Sequence, residues 1–387
     1  MTYLSKNIYN SALYEAKNYF NSTNSYLDYQ KCWSIIKYTE DYQKMPSQVC
    51  QQTLKIVDRN VKSFFSLLKR KNNGEYNRDI TFPGFLRNDN HYILIYTKQY
   101  IRVNDNKIYL CLSKYLTDKY KTKLIINLPD YIEDNEIKEI RIISRNKWFD
   151  LYIIYETETL NKKTNDEYLS IDLGINNLMT CIDTKNSRAF IIDGKHFKWK
   201  NQFFNNILES EKLKLKKINN KYNSHKTNRL YKKRNDYLNS QFHLISKRVI
   251  DYCNSEKIYN VVIGYNKLWE GNSNLSKNFI QIPFNKLINY IEYKCKINGI
   301  NFKTIEESYT SKCDALALEP IQKQEVYSGK RIKRGLFKSA NNKTINSDVN
   351  GSLNILRKAD NRKGESFIKK ITENGSVIVP IRIRLEN

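Results

Sequence analysis

The chain has 387 residues, more than the roughly 150 that one domain usually takes, so two or three domains with a real core are expected. Lys and Arg number 66 against 40 Asp and Glu, a net charge of +26, while 40% hydrophobic and 13% aromatic residues with only 12 Gly and 6 Pro exclude a disordered basic tail. A folded body with that charge points to a polyanionic partner, nucleic acid first. No apolar run of about 18 residues and no signal-peptide core is present, so no membrane span is expected and the protein is placed inside the cell, in cytoplasm, nucleoid or nucleus. The 7 cysteines are scattered and never form a C-x-x-C pair, which suits reduced thiols.

From about Ser5 to Lys71 the pattern is helical, clearest where Leu54, Val57, Val61, Phe64, Phe65 and Leu68 recur at three and four residues. Lys69, Arg70 and Lys71 at its carboxyl end suit the helix dipole as well as they suit a phosphate. After Pro83 the texture becomes β-prone: Tyr92–Tyr96, Tyr100–Val103, Lys107–Leu112, Lys123–Leu128, Ile137–Ser144 and Trp148–Tyr155, with Asn104–Lys107 reading as a hairpin turn. A polar link at Asn161–Asp166 leads to strands Tyr168–Ile171, Leu178–Asp183 and Arg188–Ile192, close enough in sequence to be antiparallel neighbours. A long basic helical stretch, Asn201–Cys253, carries Lys214, Lys216, Lys217 and Arg234 among others; such a run can be a solvated face, but so one-sided a charge favours a nucleic-acid track, with Lys214, Lys216 and Lys217 expected to bind it. Strand Val261–Tyr265, helix Asn285–Asn298, strand Asn301–Glu306, an irregular basic segment and a last helix Asp348–Ala359 complete the chain. The expected fold class is therefore α/β, in the order of an RNase H-like fold, whose strands lie 3-2-1-4-5 and gather acids where strands 1 and 4 meet.

Asp172 ends the first of these strands before Gly174, and Asp348 opens the last helix. Alone, the one reads as turn chemistry and the other as a first-turn acid. Together they stand where this fold collects carboxylates, and hard cations such as Mg²⁺ take oxygen ligands.

The run Asp172–Asn177, the stretch Gln241–Arg248, the run Glu306–Lys312, the Asp348–Lys358 helix and the amino-terminal Met45–Gln52 with Lys62–Phe65 resemble the TnpB family, in family order and over nearly the whole chain. The resemblance implies a transposon-encoded, RNA-guided DNA endonuclease with a RuvC-like site, two Mg²⁺ ions, a guide RNA and a double-stranded DNA target. It also implies a helical recognition domain over 1–88, a β-rich wedge domain over 89–160, a RuvC-like nuclease domain over 161–312 and 344–387, and a basic target-strand loading insert at 313–343. Relatives usually have a strand before the first helix, so a wedge strand is expected to be missing.

Two departures from the family stand out. Where relatives carry a catalytic Glu on the fourth strand, this chain has Gly264, and one subgroup, akin to some Fanzor proteins, places its Glu some forty residues later. Glu307, joined to the Ser308–Ser311 run shared with that subgroup, is the expected third acid beside Asp172 and Asp348, with Glu306 as fallback. If neither reaches the metals, the implied function is an RNA-guided DNA-binding protein without cleavage. The second departure is that only Cys313 remains of the two cysteine pairs of the family insert, and one thiolate cannot supply four zinc ligands. Zinc is not expected. Lys330, Arg331, Lys333 and Arg334, interleaved with Tyr327 and Phe337, are expected to contact backbone and stack on bases.

Overall fold

In the computed structural model, which describes residues 1–87, 90–130, 132, 137–145, 148–266, 282–373 and 379–384, the amino-terminal helical pattern resolves into α1 (Thr2–Thr23), α2 (Tyr29–Ile36), α3 (Glu40–Gln43) and α4 (Ser47–Asn72). The carboxylate of Asp28 accepts the Lys31 N–H at 2.9 Å and so caps α2. Leu54, Val57, Val61 and Phe64 form the buried stripe of α4, and Lys69, Arg70 and Lys71 occupy its last turn. There follow β1 (Leu94–Thr97), β2 (Ile101–Asn104), β3 (Lys107–Leu110), α5 (Lys114–Tyr120), β4 (Leu124–Asn127), β5 (Ile137–Arg145) and β6 (Trp148–Tyr155). They make two antiparallel sheets, ordered β1-β5-β6 and β2-β3-β4. Asp105 and Asn106 take φ of +49° and +58°, the left-handed pair that a two-residue hairpin turn requires. Helices and strands here share one core, in which Ile8, Leu13 and Val49 join Tyr96, Ile108 and Ile140.

These elements form one compact unit, Met1–Thr157, and Glu158–Asn387 form a second. The second holds β7 (Tyr168–Leu173), β8 (Asn177–Asp183), β9 (Arg188–Asp193), α6 (Lys195–Asn219), α7 (His225–Ser255), β10 (Asn260–Tyr265), α8 (Phe284–Ile297) and β11 (Asn301–Glu306). Next come β12 (Lys330–Lys333), β13 (Leu336–Lys338), β14 (Thr344–Asn346), α9 (Ser347–Ala359), α10 (Asn361–Glu373) and β15 (Ile381–Ile383). Its main sheet is ordered β11-β10-β7-β8-β9-β15. Five of these strands stand in the expected order 3-2-1-4-5, and β15, which the sequence did not announce, adds a parallel edge strand beside β9.

Alternation along β7 sends Leu169, Ile171 and Leu173 into a core with Phe242 of α7 and Leu287 of α8. On the other face Ile182 and Ala189 pack with Val349 and Leu353 of α9 and Phe367 of α10. Both faces of the sheet are therefore covered.

Three expectations need correction. The helical stretch expected over Asn201–Cys253 is two helices: Asn220 turns left-handed at φ +50°, and a Ser224–Thr227 capping box starts α7. The segment expected to be irregular forms the small antiparallel sheet β12-β13-β14. Phe337, expected to stack on bases, is 1% exposed in the core of that insert. No helix among the described residues is long and apolar enough to cross a membrane.

Candidate metal centre

Even-numbered side chains of β7 point at α9. Ser170 Oγ donates to the Ser352 carbonyl at 2.7 Å, and Ser352 Oγ donates to the Ser170 carbonyl at 2.9 Å, a buried reciprocal pair that staples strand to helix. Two residues on, Asp172 meets the same helix: a Cβ added to Gly351 would stand 2.8 Å from Asp172 Oδ2, so glycine is what lets the carboxylate lie against α9. Asp348 enters on the first turn of α9, whose cap is Asn346; the Asn346 side chain accepts the N–H groups of Asp348 and Val349.

The third acid comes by sheet register. β7 and β10 run parallel with Ile171 opposite Ile263, and β10 and β11 run parallel with Gly264 opposite Ile305. Gly264 and Ile305 therefore lie in the next row, beside Asp172, and Glu307, two residues past Ile305, shares their face. The ladder continues to it, since the Glu307 N–H donates to the Tyr265 carbonyl at 3.1 Å. Glu306 points the other way, is exposed, and accepts the Ser308 hydroxyl at 3.1 Å. A Cβ on Gly264 would stand 3.5 Å from Glu307 Oε2 but only 2.5 Å from Ile355 Cδ1. The glycine thus makes room chiefly for the packing of α9, and leaves the way to Glu307 open as a consequence.

Burial, with the charges of Glu307 and Asp348, pushes the Asp172 carboxyl well above the ordinary carboxylate range, and Arg331 and the Leu173 N–H oppose the rise. Desolvation also raises Glu307, against a hydrogen bond from Asn266 and the charge of Lys358. The donors that hold these acids were not singled out in the sequence. Asn177 Nδ2 donates to Asp348 Oδ2 at 2.6 Å, while Arg382 Nη1 donates to Asn177 Oδ1 at 3.0 Å and pairs with Asp193 at 3.0 Å. Asn266 Nδ2 donates to Glu307 Oε1 at 2.9 Å. Lys358 Nζ donates to the carbonyls of Glu306 at 2.8 Å and Ser308 at 2.9 Å, clamping the backbone on either side of Glu307. An asparagine at a strand boundary, opening β8 at 177 and just past β10 at 266, was the one local signal available.

An oxygen-only donor set with concentrated negative charge suits a hard divalent cation. Among the described residues, however, no three Asp, Glu, His or Cys side chains close on a single ion position.

Lys330, Arg331, Lys333 and Arg334 are all exposed, and Arg331 alone of them bears on Asp172. Lys214, Lys216 and Lys217 are exposed on α6; Lys214 lies 3.4 Å from Glu211, and Lys216 stands 6.0 Å over the Tyr222 ring. Arg234 is half-buried, donating to Asn201 Oδ1 at 2.8 Å, which assigns it to packing between α6 and α7.

The insert is organised around a carboxylate. Buried Asp314 accepts Ser339 Oγ and the Ala340 N–H at 2.7 Å each, and the N–H groups of Leu316 and Ala317 at 3.1 and 3.2 Å. Cys313 is a buried free thiol whose Sγ lies 3.6 Å from the Gln322 carbonyl. Asn350 and Asn354 of α9 both donate to the Cys313 carbonyl, at 2.8 and 2.7 Å.

Residues 152–270 match the OrfB_IS605 family model, described as a probable transposase, and residues 284–355 match the Cas12f1-like TNB domain model. Among solved structures, a Cas12f1–sgRNA–target DNA complex matches with a TM-score of 0.61 at 16% identity, over 92% of this chain and 81% of that one. A CRISPR-Cas12f ternary complex matches with a TM-score of 0.37 at 15% identity, over 91% of this chain and 79% of that one. No match was found among curated protein sequences.

Proposed function

We propose that this chain, which matches the OrfB_IS605 and Cas12f1-like TNB family models and so is TnpB-like, is an RNA-guided DNA endonuclease of a transposable element, cleaving DNA at Asp172, Glu307 and Asp348. The observation that carries this reading is the convergence of three acids from β7, the end of β11 and the start of α9, in which Glu307 and Asp348 raise the proton affinity of Asp172. The order of the main sheet supports an RNase H-like reading of the second unit.

Mg²⁺ bound there would supply an activated water and neutralise charge at the leaving 3′ oxygen. Asp172, Glu307 and Asp348 would hold the cation, with Asp172 the acid on which both others bear. Asn177 and Asn266 each hold one carboxylate oxygen and leave the other for the cation. Arg331, on an exposed strand beside Asp172, is suited to a non-bridging phosphate oxygen. No nucleophilic side chain is needed. Guide RNA and target DNA are proposed as partners because the similar Cas12f1 structure holds an sgRNA and target DNA, and because the +26 charge favours a polyanion. Lys214, Lys216, Lys217, Lys330, Lys333 and Arg334 are proposed backbone contacts.

A second reading, guided DNA binding without cleavage, is favoured by one observation: among the described residues no three Asp, Glu, His or Cys side chains close on a single ion. The test is cleavage of guide-matched DNA in Mg²⁺ by wild type and by Asp172→Ala, Glu306→Ala and Glu307→Ala. We expect Asp172→Ala and Glu307→Ala to be inactive while still binding target, and Glu306→Ala to cut normally. Activity in Asp172→Ala overturns the mechanism, and equal activity of the two Glu variants overturns the role of Glu307.

A further inference from the structure

Helix α6 carries an aromatic face that neither the core nor the carboxylate chemistry uses. Phe197, Phe204 and Leu208 supply its buried stripe, at 1%, 9% and 4% exposure. On the outer side His196, Trp199 and Phe203 follow at spacings of three and four, which aligns them along one edge of the helix. Their rings form a ladder, with centroids 5.9 and 5.8 Å apart and planes within 18° and 24° of parallel. Trp199 is 56% exposed and Phe203 45%. The Lys200 ammonium stands 5.7 Å from each of these two rings, so one positive charge lies beside the Trp199–Phe203 step of the ladder.

The ladder starts at the rim of the acid cluster. The Gly194 N–H donates to the Asn176 carbonyl at 2.9 Å, and Lys198 Nζ donates to Asn176 Oδ1 at 3.2 Å. The next residue, Asn177, holds Asp348. An exposed stack of rings with interleaved cations is the chemistry that holds unpaired bases, whose faces stack on aromatics while phosphates are neutralised alongside.

We infer that His196, Trp199 and Phe203 bind the bases of a DNA single strand running along α6 to the carboxylates; the direction of travel rests on the nuclease reading above, whereas base binding does not. The experiment uses the full chain in EDTA and moderate salt, so that no catalysis is needed and bare phosphate attraction is screened. Binding of labelled oligo(dT) is compared with that of an abasic strand of equal length. For oligo(dT), Trp199→Ala and Phe203→Ala should each weaken binding by about tenfold, with Trp199→Phe close to wild type. For the abasic strand all variants should bind alike. Equal loss on both strands, or none on oligo(dT), overturns the inference. Ladder-dependent binding confined to oligo(rU) reassigns the face to RNA and overturns it as stated. Self-association of wild type in sedimentation that Trp199→Ala abolishes assigns the face to a second copy and also overturns it. Because the readout is binding, these outcomes are independent of whether Asp172→Ala still cuts DNA.

Discussion

Asp314 and Asp172 are both enclosed carboxylates beside α9, and they differ in what surrounds them. Asp314 accepts four hydrogen bonds from backbone and hydroxyl donors of its own insert. Asp172 instead faces Glu307 and Asp348, and its proton affinity rises accordingly. The first is a strut, complete without any further group. The second is a concentration of charge that a cation would relieve, and among the described residues each acid beside it is held by one amide on one oxygen. Within one fold, satisfaction by donors separates Asp314, a structural carboxylate, from Asp172, the proposed catalytic one.

The largest effects expected from this contrast have opposite signs. Asp314→Ala strands four donors in or near the core and should cost about 3 kcal/mol or more in urea unfolding. Asp172→Asn in EDTA removes like-charge repulsion and should stabilise by about 1 kcal/mol. Equal losses in both variants would erase the distinction.

The pH dependence sharpens it. The folded Asp172 carboxyl holds its proton above the unfolded value of 3.8, so the unfolded chain releases that proton first as pH rises. Stability from this group therefore falls from about pH 4 upward until the folded carboxyl has also ionised. Glu307, raised in the same direction, adds to the fall. Thermal midpoints of the metal-free protein should decline over that window relative to Asp172→Asn, and Mg²⁺ at neutral pH should restore them.

Smaller is the effect of Lys358→Met, which frees the carbonyls on either side of Glu307. The Mg²⁺ concentration for half-maximal cleavage should rise about tenfold, with Lys358→Arg near wild type. Smallest is the response of the insert to a zinc chelator. The thermal midpoint should not move with chelator, and Cys313→Ser should cost no more than about 1 kcal/mol in urea unfolding; a large drop with chelator would mean that Asp314 is not what holds the insert.

Apart from β15 and the three strands of the insert, the strands were legible because each is a short β-prone run bounded by turn residues, as Asn104–Lys107 illustrates. The sheet in the insert was not legible, since Lys330–Lys333 is exposed at every position and shows no alternation. The break at Asn220 lies within a polar, basic run where the hydrophobic period is faint. Phe337 was misassigned because an aromatic among basic residues looks the same whether it faces solvent or a core. Of the site, Asp172 and Asp348 could be placed at element ends, but no local pattern separates Glu306 from Glu307.

The amino-acid sequence by itself determined the element types, the basic character and the strand-end and helix-start positions of two acids, because turn chemistry and apolar period act over a few neighbouring residues. Tertiary structure alone decided the rest. Sheet register turned Glu307, rather than Glu306, toward Asp172; Gly264 and Gly351 are needed because α9 packs there; and Asn177, Asn266, Lys358 and Arg382 gain their roles from partners distant in the chain. A carboxylate becomes a metal ligand or a strut through the donors and charges that folding brings to it, and those come from elements that local sequence does not connect.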